Sequence, residues 1–564
     1  MGRVPSDLII TGCSLVSTYT GEIIPDTQIA VCGSRIIYAG PDASHAAGPD
    51  TRTLDAKGRH VVPGLADPHT HIDQFVLPDR TAASVLPRGT TALFSDPIDV
   101  TGVGGYPGLR WFMEACSRAP VRIFHGVPGG LPVDPALSHL RGLDEAEREA
   151  VLRDPSVFGM GEIFSWTKIT DGDPQTLRDV AAVREHGGIV NGHTAGMSGR
   201  KLAAYAASGI SSCHEPIDYD QTIERLRAGL YVMVREGSVR RDLRRIMEEV
   251  AGRGVSTHRI MFCSDGLNPT DLQSGHMDRC VREAMRAGID PADAVAMATR
   301  NVFEYYNMDQ NLGGLAPGRL ADIVILDDLE SFRVNMVLVG GREVSGGTHD
   351  AVPVPRWLRR TVRLECISPS DFVVAAAGGE ARANTIRLRT EIVTEPGEAV
   401  LPVRDGAAVP SGGIWKVAAF DRVHGTGNRA VGFLEGFGDG EGALASTASL
   451  HESDLVVIGS NDADMAAAAS HLIDVQGGMA VARGGRIVAS LPLPVAGLMS
   501  AENTGAVRER FEAVRGAAQD MGCRFESPHL IPIFLPFLAL PHIRILNRGI
   551  VNVRRREIVP PIQG

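Results

Sequence analysis

A chain of 564 residues is too long for one hydrophobic core, so two or three domains are expected. Its 44% apolar and 22% charged content is that of an ordinary globular protein. A net charge of −11 with no long basic run argues against a nucleic-acid partner, because phosphate contacts need clustered Lys and Arg. The scattered cysteines include no C-x-x-C pair, so neither a zinc knuckle nor a disulfide framework is indicated. The opening stretch MGRVPSDLIITG has no charged-then-apolar signal layout. The most apolar window, 530–540, is broken by Pro532 and Pro536 and is too short to span a bilayer. A cytoplasmic protein with no membrane partner is therefore expected.

In chain order, residues 7–60 carry short alternating segments with turn signals, such as DLIITGCSLV and QIAVCGSRIIYAG, that predict a small antiparallel sheet. A similar block returns at 313–345. Between them, from about 61 to 311, apolar runs (TTALFSD, VRIFHGV, FGMGEIF, GIVNGH, ISSCHE, LYVMVREG, RIMFCSD) alternate with amphipathic helical ones. That alternation predicts a (β/α)8-type barrel with its function at the strands' carboxyl ends. From about 355 the texture changes. VPVPRW reads as a linker, and a third domain follows with short strands, helices near 463–475 and 501–521, and turn candidates at Gly412-Gly413, Gly477-Gly478 and Gly484-Gly485.

The first barrel strand is HVVPGLADPHTHID, residues 60–73. His69 and His71 stand at i and i+2, so both imidazoles face one side of the strand and can reach one metal ion. Further titratable residues end later strands: Glu162 in GMGEIF, His193 in GIVNGH, His214 in GISSCHE and Asp265 in RIMFCSD. Taken singly, each is as readily a core or surface residue with a local partner. In series at strand ends, four histidines and two carboxylates suit a pair of divalent ions. One ion is expected on His69, His71, Glu162 and Asp265, and the other on His193 and His214 with Glu162 shared. His60, His125, His186, His258 and His276 lack that context.

VPGLAD ahead of the histidine pair resembles the opening of the first barrel strand in the amidohydrolase superfamily. Many members bridge their metals with a carboxylated lysine, whose place Glu162 takes here. The resemblance tightens through VLPRGTTALFSDP, NGHTAGMSGRKLAAYAASGISSCHE, LRAGLYVMVREGS and GLAPGRLADIVILDDLE. It continues in the third domain through DRVHGTGNRAVGFLEGFG, GALAS, VIGSNDADMA, LPLPVAGLMS and FLALP. These are similar to the prokaryotic adenine deaminase family over nearly the whole chain.

That resemblance implies an α/β fold: a (β/α)8-type metal-dependent hydrolase barrel (61–311), a composite β-sandwich from 1–60 and 312–354, and an additional C-terminal α+β domain (355–564). It also implies hydrolysis of adenine to hypoxanthine and ammonia at two divalent ions, manganese or iron with zinc admissible, in purine salvage and adenine catabolism, by a homodimer. Asp265 is the expected proton acceptor and Glu215 a second acid/base, although a salt bridge outside the site accounts for Glu215 equally well. Candidate substrate contacts are Asp96, Asp99, Arg235, Glu236 and His451. Asn268, Asp271 and His276 belong to a loop that can close over the site.

The sequence departs from the family pattern at Asp73, at Ile98 and Asp99 (the family has His-Glu), at Gly266, and at Leu450-His451-Glu452-Ser453. These departures leave open a related hydrolase of another nitrogen heterocycle or cyclic amide, since a site built to hydrogen-bond its substrate discriminates through such groups. A non-catalytic binding protein is the third reading, and the six retained ligand positions argue against it.

Overall fold

The computed structural model describes residues 4–344 and 352–563. Residues 345–351, part of the expected second half of the sandwich, lie outside the described residues. The two flanking blocks meet where His60–Pro63 pairs antiparallel with Ile323–Asp328, Val62 opposite Val324. Through that pair they form one continuous eight-stranded sheet. The apolar side chains of Ile10, Ile29, Val61, Ile323 and Leu338 fill its core.

Eight parallel strands make the barrel. Leu65–Thr70, Thr90–Ser95, Arg122–Val127, Val157–Ile163 and Ile189–Gly192 form one hydrogen-bonded arc, and Ser212–Cys213, Tyr231–Arg235 and Ile260–Cys263 form the other. The arcs join where the Ser211 N–H donates to the Val190 carbonyl at 3.1 Å, and where the Asp265 N–H donates to the His69 carbonyl at 3.1 Å. These strands read as near-continuous apolar runs because helices cover one side and the barrel filling the other. Each seam carries expected ligands: His193 and His214 at the first, His69 and Asp265 at the second.

The C-terminal region is a nine-stranded sheet with helices Asp462–Asp474 and Thr504–Asp520, each begun by an Asn side chain that accepts a hydrogen bond from a backbone N–H of its first turn. Gly412-Gly413 and Gly484-Gly485 are left-handed turns, as expected. Gly477-Gly478 is instead a close approach: a Cβ on Gly478 would lie 1.9 Å from the Leu491 carbonyl oxygen. The region closes on the barrel mouth of its own chain. Met499–Ser500 pairs in parallel with Phe75–Val76, just past the first barrel strand, and the Phe75 and Phe511 rings meet edge-on at 5.5 Å.

Candidate active site

The barrel's carboxyl ends bring His69, His71, Glu162, His193, His214 and Asp265 together. His71 donates through Nδ1 to the Asp96 carbonyl, 3.1 Å away, which leaves Nε2 facing the centre. From there it is 3.3 Å from Glu162 Oε1 and 3.7 Å from Asp265 Oδ1. His69 Nε2 is 3.2 Å from Asp265 Oδ1. The other Glu162 oxygen, Oε2, lies 2.8 Å from His193 Nδ1 and 3.3 Å from His214 Nε2. Glu162 therefore stands between two histidine pairs with one oxygen toward each.

Glu215 turns inward, so that Oε1 is 3.4 Å from His214 Nε2 and 3.7 Å from His193 Nδ1. Three sets of ligand atoms each converge within 4.8 Å: His69, His71 and Asp265; His69, Glu162 and His214; His193, His214 and Glu215. His69 Nε2 and His193 Nε2 are buried without a hydrogen-bond partner. An unpartnered His69 Nε2, aimed at carboxylates among other imidazoles, fits a divalent transition metal. His193 is held by its backbone, whose N–H donates to Tyr205 Oη at 3.0 Å while that hydroxyl donates to the Ile163 carbonyl.

The electrostatics match the donor set. Burial opposes charge on Glu162, yet hydrogen bonds from His193, His214 and His71 hold its carboxyl well below the usual range. Burial likewise opposes a proton on His193, and the Glu215 and Glu162 carboxylates push it up to about 9. Three clustered carboxylates thus draw positive charge into the site, which bound cations would supply. Arg235 supplies part of it, with Nη1 2.5 Å from Glu215 Oε1 and 3.1 Å from Asp265 Oδ2. Asp265 itself has φ +51 and the following Gly266 +97. That left-handed conformation is uncommon for a residue with a side chain.

Beyond the ligands, a cavity of about 240 Å³ is lined below by the cluster and above by the C-terminal region. Of the expected substrate contacts, Arg235 and His451 line it. Asp96, Asp99 and Glu236 do not. Asp96 lies behind the ligands, accepting the Glu162 N–H at 2.7 Å. Gly161 permits this, because a Cβ there would sit 2.1 Å from the Asp96 carboxylate. Asp99 accepts the His451 N–H at 2.9 Å and the Gln74 amide, so it anchors the roof rather than facing the cavity. The Glu236 side chain turns toward Arg279, 3.7 Å away.

Other expectations shift as well. His276 does not cover the site: it is buried, with Nε2 3.1 Å from Asp67 and Nδ1 2.8 Å from Thr90. Asn268 does line the cavity, while its side chain also caps the helix Pro269–Ser274. Asp271 bonds Ser238 at 2.7 Å and pairs with Arg241. Among the family departures, Gly266 and Leu450 face the cavity, whereas Asp73 and Ile98 are buried outside its lining.

Apart from Leu450 and His451, the residues that form the roof are not among those the sequence singles out. Leu530, Ile533, Phe534, Phe537 and Leu540 cover the cavity with His529 among them. His529 is 2% exposed and neither ring nitrogen has a partner. Burial and the nearby Arg515 push its pKa down to about 3, so it is neutral. The available signal was the 530–540 apolar window, which excludes a membrane span and thereby marks a buried segment. His451 is also neutral, pushed to about 4 by burial, and its ring stacks on Phe164 at 4.6 Å.

A parallel eight-stranded barrel with imidazoles and carboxylates clustered at its mouth defines a metal-dependent hydrolase of the amidohydrolase class. Residues 60–344 match the amidohydrolase family and residues 391–557 the adenine deaminase C-terminal domain. An adenine deaminase of Cenarchaeum symbiosum is 52% identical over all of this chain and 94% of its own length. That of Moorella thermoacetica is 36% identical over 100% of this chain and 97% of its own, and that of Paracoccus denitrificans 35% over 99% and 96%. The chain belongs to the adenine deaminase family. As an amidohydrolase it uses divalent metal. Among the described residues no helix is long and apolar enough to cross a membrane.

Proposed function

We propose that the chain hydrolyses adenine to hypoxanthine and ammonia, with His69, His71 and Asp265 holding one divalent ion, His193 and His214 another, and Glu162 shared between them. The observation that carries this reading is Glu162 standing with one oxygen toward each histidine pair, in a chain related over its whole length to adenine deaminases. When bound, the ions supply a water activated at neutral pH as the nucleophile for C6.

The chain's own residues orient and move protons. Asp265 presents Oδ1 to His69 and His71 while Arg235 holds Oδ2. It takes the proton from the attacking water and returns it to the amine as the C6–N bond breaks. Glu215, fixed by the same Arg235, acts as a further ligand on the His193 side and as the second acid/base. The apolar roof excludes bulk water from the reacting centre. Adenine is preferred over other heterocycles because every relative quoted above is named for it.

The same proposal assigns manganese or iron as the native metal, a cytoplasmic homodimer in purine salvage, and the domain division 1–60, 61–311, 312–354 and 355–564. The test is hypoxanthine and ammonia release from adenine by the manganese-loaded chain, with metal counted on the same sample. Turnover at about 1–1000 per second is the expected result. Two bound ions without turnover would reject adenine, and a chain that binds no metal would reject the metal-dependent reading.

A further inference from the structure

Outside the cavity, a second group of ligating side chains converges where the loop after the third barrel strand meets the C-terminal region. His139 comes from that loop. Asp421 and His424 come from the turn between the strands Ile414–Phe420 and Arg429–Glu435. Their ligand atoms lie within 4.8 Å of one another. His139 Nε2 is 3.6 Å from Asp421 Oδ1 and 3.8 Å from Asp454 Oδ1, and His424 Nδ1 is 3.6 Å from Asp421 Oδ1. These spacings exceed hydrogen-bond lengths of about 2.7–3.2 Å. They are close to the roughly 3.3–3.6 Å between ligand atoms arranged tetrahedrally about an ion at 2.0–2.2 Å.

A second observation points the same way. The His139 side chain is 6% exposed, and its Nε2 has no hydrogen-bond partner. Its Nδ1 is held 2.6 Å from the Asn547 amide, whose Oδ1 is also buried without a partner. With Nδ1 engaged by Asn547, Nε2 is the ring nitrogen left facing Asp421. Asp421 is pre-set by its turn: Oδ1 accepts the Val423 and His424 N–H groups, and Oδ2 takes the Thr426 hydroxyl. A turn anchor alone would need neither histidine.

We propose that His139, Asp421 and His424 bind a further divalent transition-metal ion of the zinc class, separate from those at the barrel mouth. Two imidazoles and a carboxylate select such an ion over calcium or magnesium, which take oxygen ligands. The His424 side chain is 42% exposed, which opens the site to solvent. The ion would pin the barrel loop to the C-terminal region beside the segment that carries Leu450 and His451 to the roof. This inference does not rest on the proposed reaction.

The experiment strips the full chain with chelator, reloads it with zinc, desalts it and counts metal per chain by mass spectrometry for wild type, His424→Ala and His139→Gln. Each folded variant is expected to hold one equivalent fewer than wild type. With cobalt in place of zinc, the visible absorption of that equivalent is expected to vanish in both. His424 is exposed, so His424→Ala decides the matter even where His139→Gln fails to fold. A folded His424→Ala chain that retains the wild-type count overturns the proposal.

Discussion

The floor and the roof of the cavity use the same side chain in opposite ways. At the floor, His71 and His193 are buried, which disfavours their charge, yet Glu162 and its neighbouring carboxylates pull both toward protonation, His193 to about 9. In the roof, His451 and His529 are as deeply buried, Asp99 at 3.6 Å from His451 Nδ1 offsets that only in part, and their values fall to about 4 and 3. Burial is common to all four, so the difference is the direct hydrogen bond to Glu162 that His71 and His193 have and the roof rings lack. Beside Glu162 the floor favours charge on His71 and His193, while the roof presents neutral imidazoles to the cavity.

If the floor is a metal cradle, breaking the shared carboxylate should have the largest effect. Glu162→Gln removes a charge that faces both histidine pairs. Metal content is expected to fall below two equivalents, with kcat down by more than about 10⁴-fold, beyond the 10²–10⁴ typical of losing one general acid or base. Metal analysis beside turnover checks it, and full metal content with ordinary turnover would remove Glu162 from the shared position. Asp265→Asn is the next step down. Its amide still offers an oxygen to the ion but cannot take a proton, so kcat should fall by about 10²–10⁴-fold. Retained turnover with metals bound would move the proton-accepting role elsewhere, Glu215 being the nearest alternative.

The roof predicts a smaller and different loss. His529→Phe keeps the ring volume and removes both nitrogens. One hydrogen bond to a neutral ligand is worth about 0.5–1.5 kcal/mol, so KM for adenine should rise by roughly 3–10-fold. Little change in kcat is expected, because the contact serves ground state and transition state alike. A fall in kcat at constant KM would instead place His529 in the chemistry.

The same contrast explains what the sequence could disclose. His69, His71, Glu162, His193, His214 and Asp265 each end an apolar run, and barrel topology alone sends strand ends to one mouth. Their convergence follows from local pattern plus one architectural rule. Glu215 was harder, because alternation on a straight strand points it away from His214, and only the two-residue length of Ser212–Cys213 lets the chain turn it inward. Asp96, Asp99 and Glu236 were misplaced for a related reason: a polar residue near a strand end can support a ligand from behind as readily as face the cavity. The roof depends on contacts such as His451 to Asp99, 352 positions apart, and no local periodicity encodes such a pairing. Only the unusual apolarity of 530–540 hinted at it.

The effect furthest from the chemistry concerns the loop that carries the roof histidine. Glu452 follows His451, is fully buried, and neither carboxyl oxygen has a hydrogen-bond partner. Burial pushes its carboxyl up to about 8, whereas an unfolded glutamate titrates near 4.3. Between those values the folded chain keeps a proton that the unfolded chain has released, so this group's contribution to stability declines as pH rises across the window. Below about 4.3 both states are protonated and the group is neutral in effect. Glu452→Gln keeps the shape without the titration. Its melting temperature relative to wild type should therefore climb steadily from pH 5 to pH 8 and level off above that. The slope is at most about 1.4 kcal/mol per pH unit for one proton. A difference that stays flat over this range would mean that Glu452 ionises in the folded chain, with a cation or water reaching a carboxylate that now has no partner.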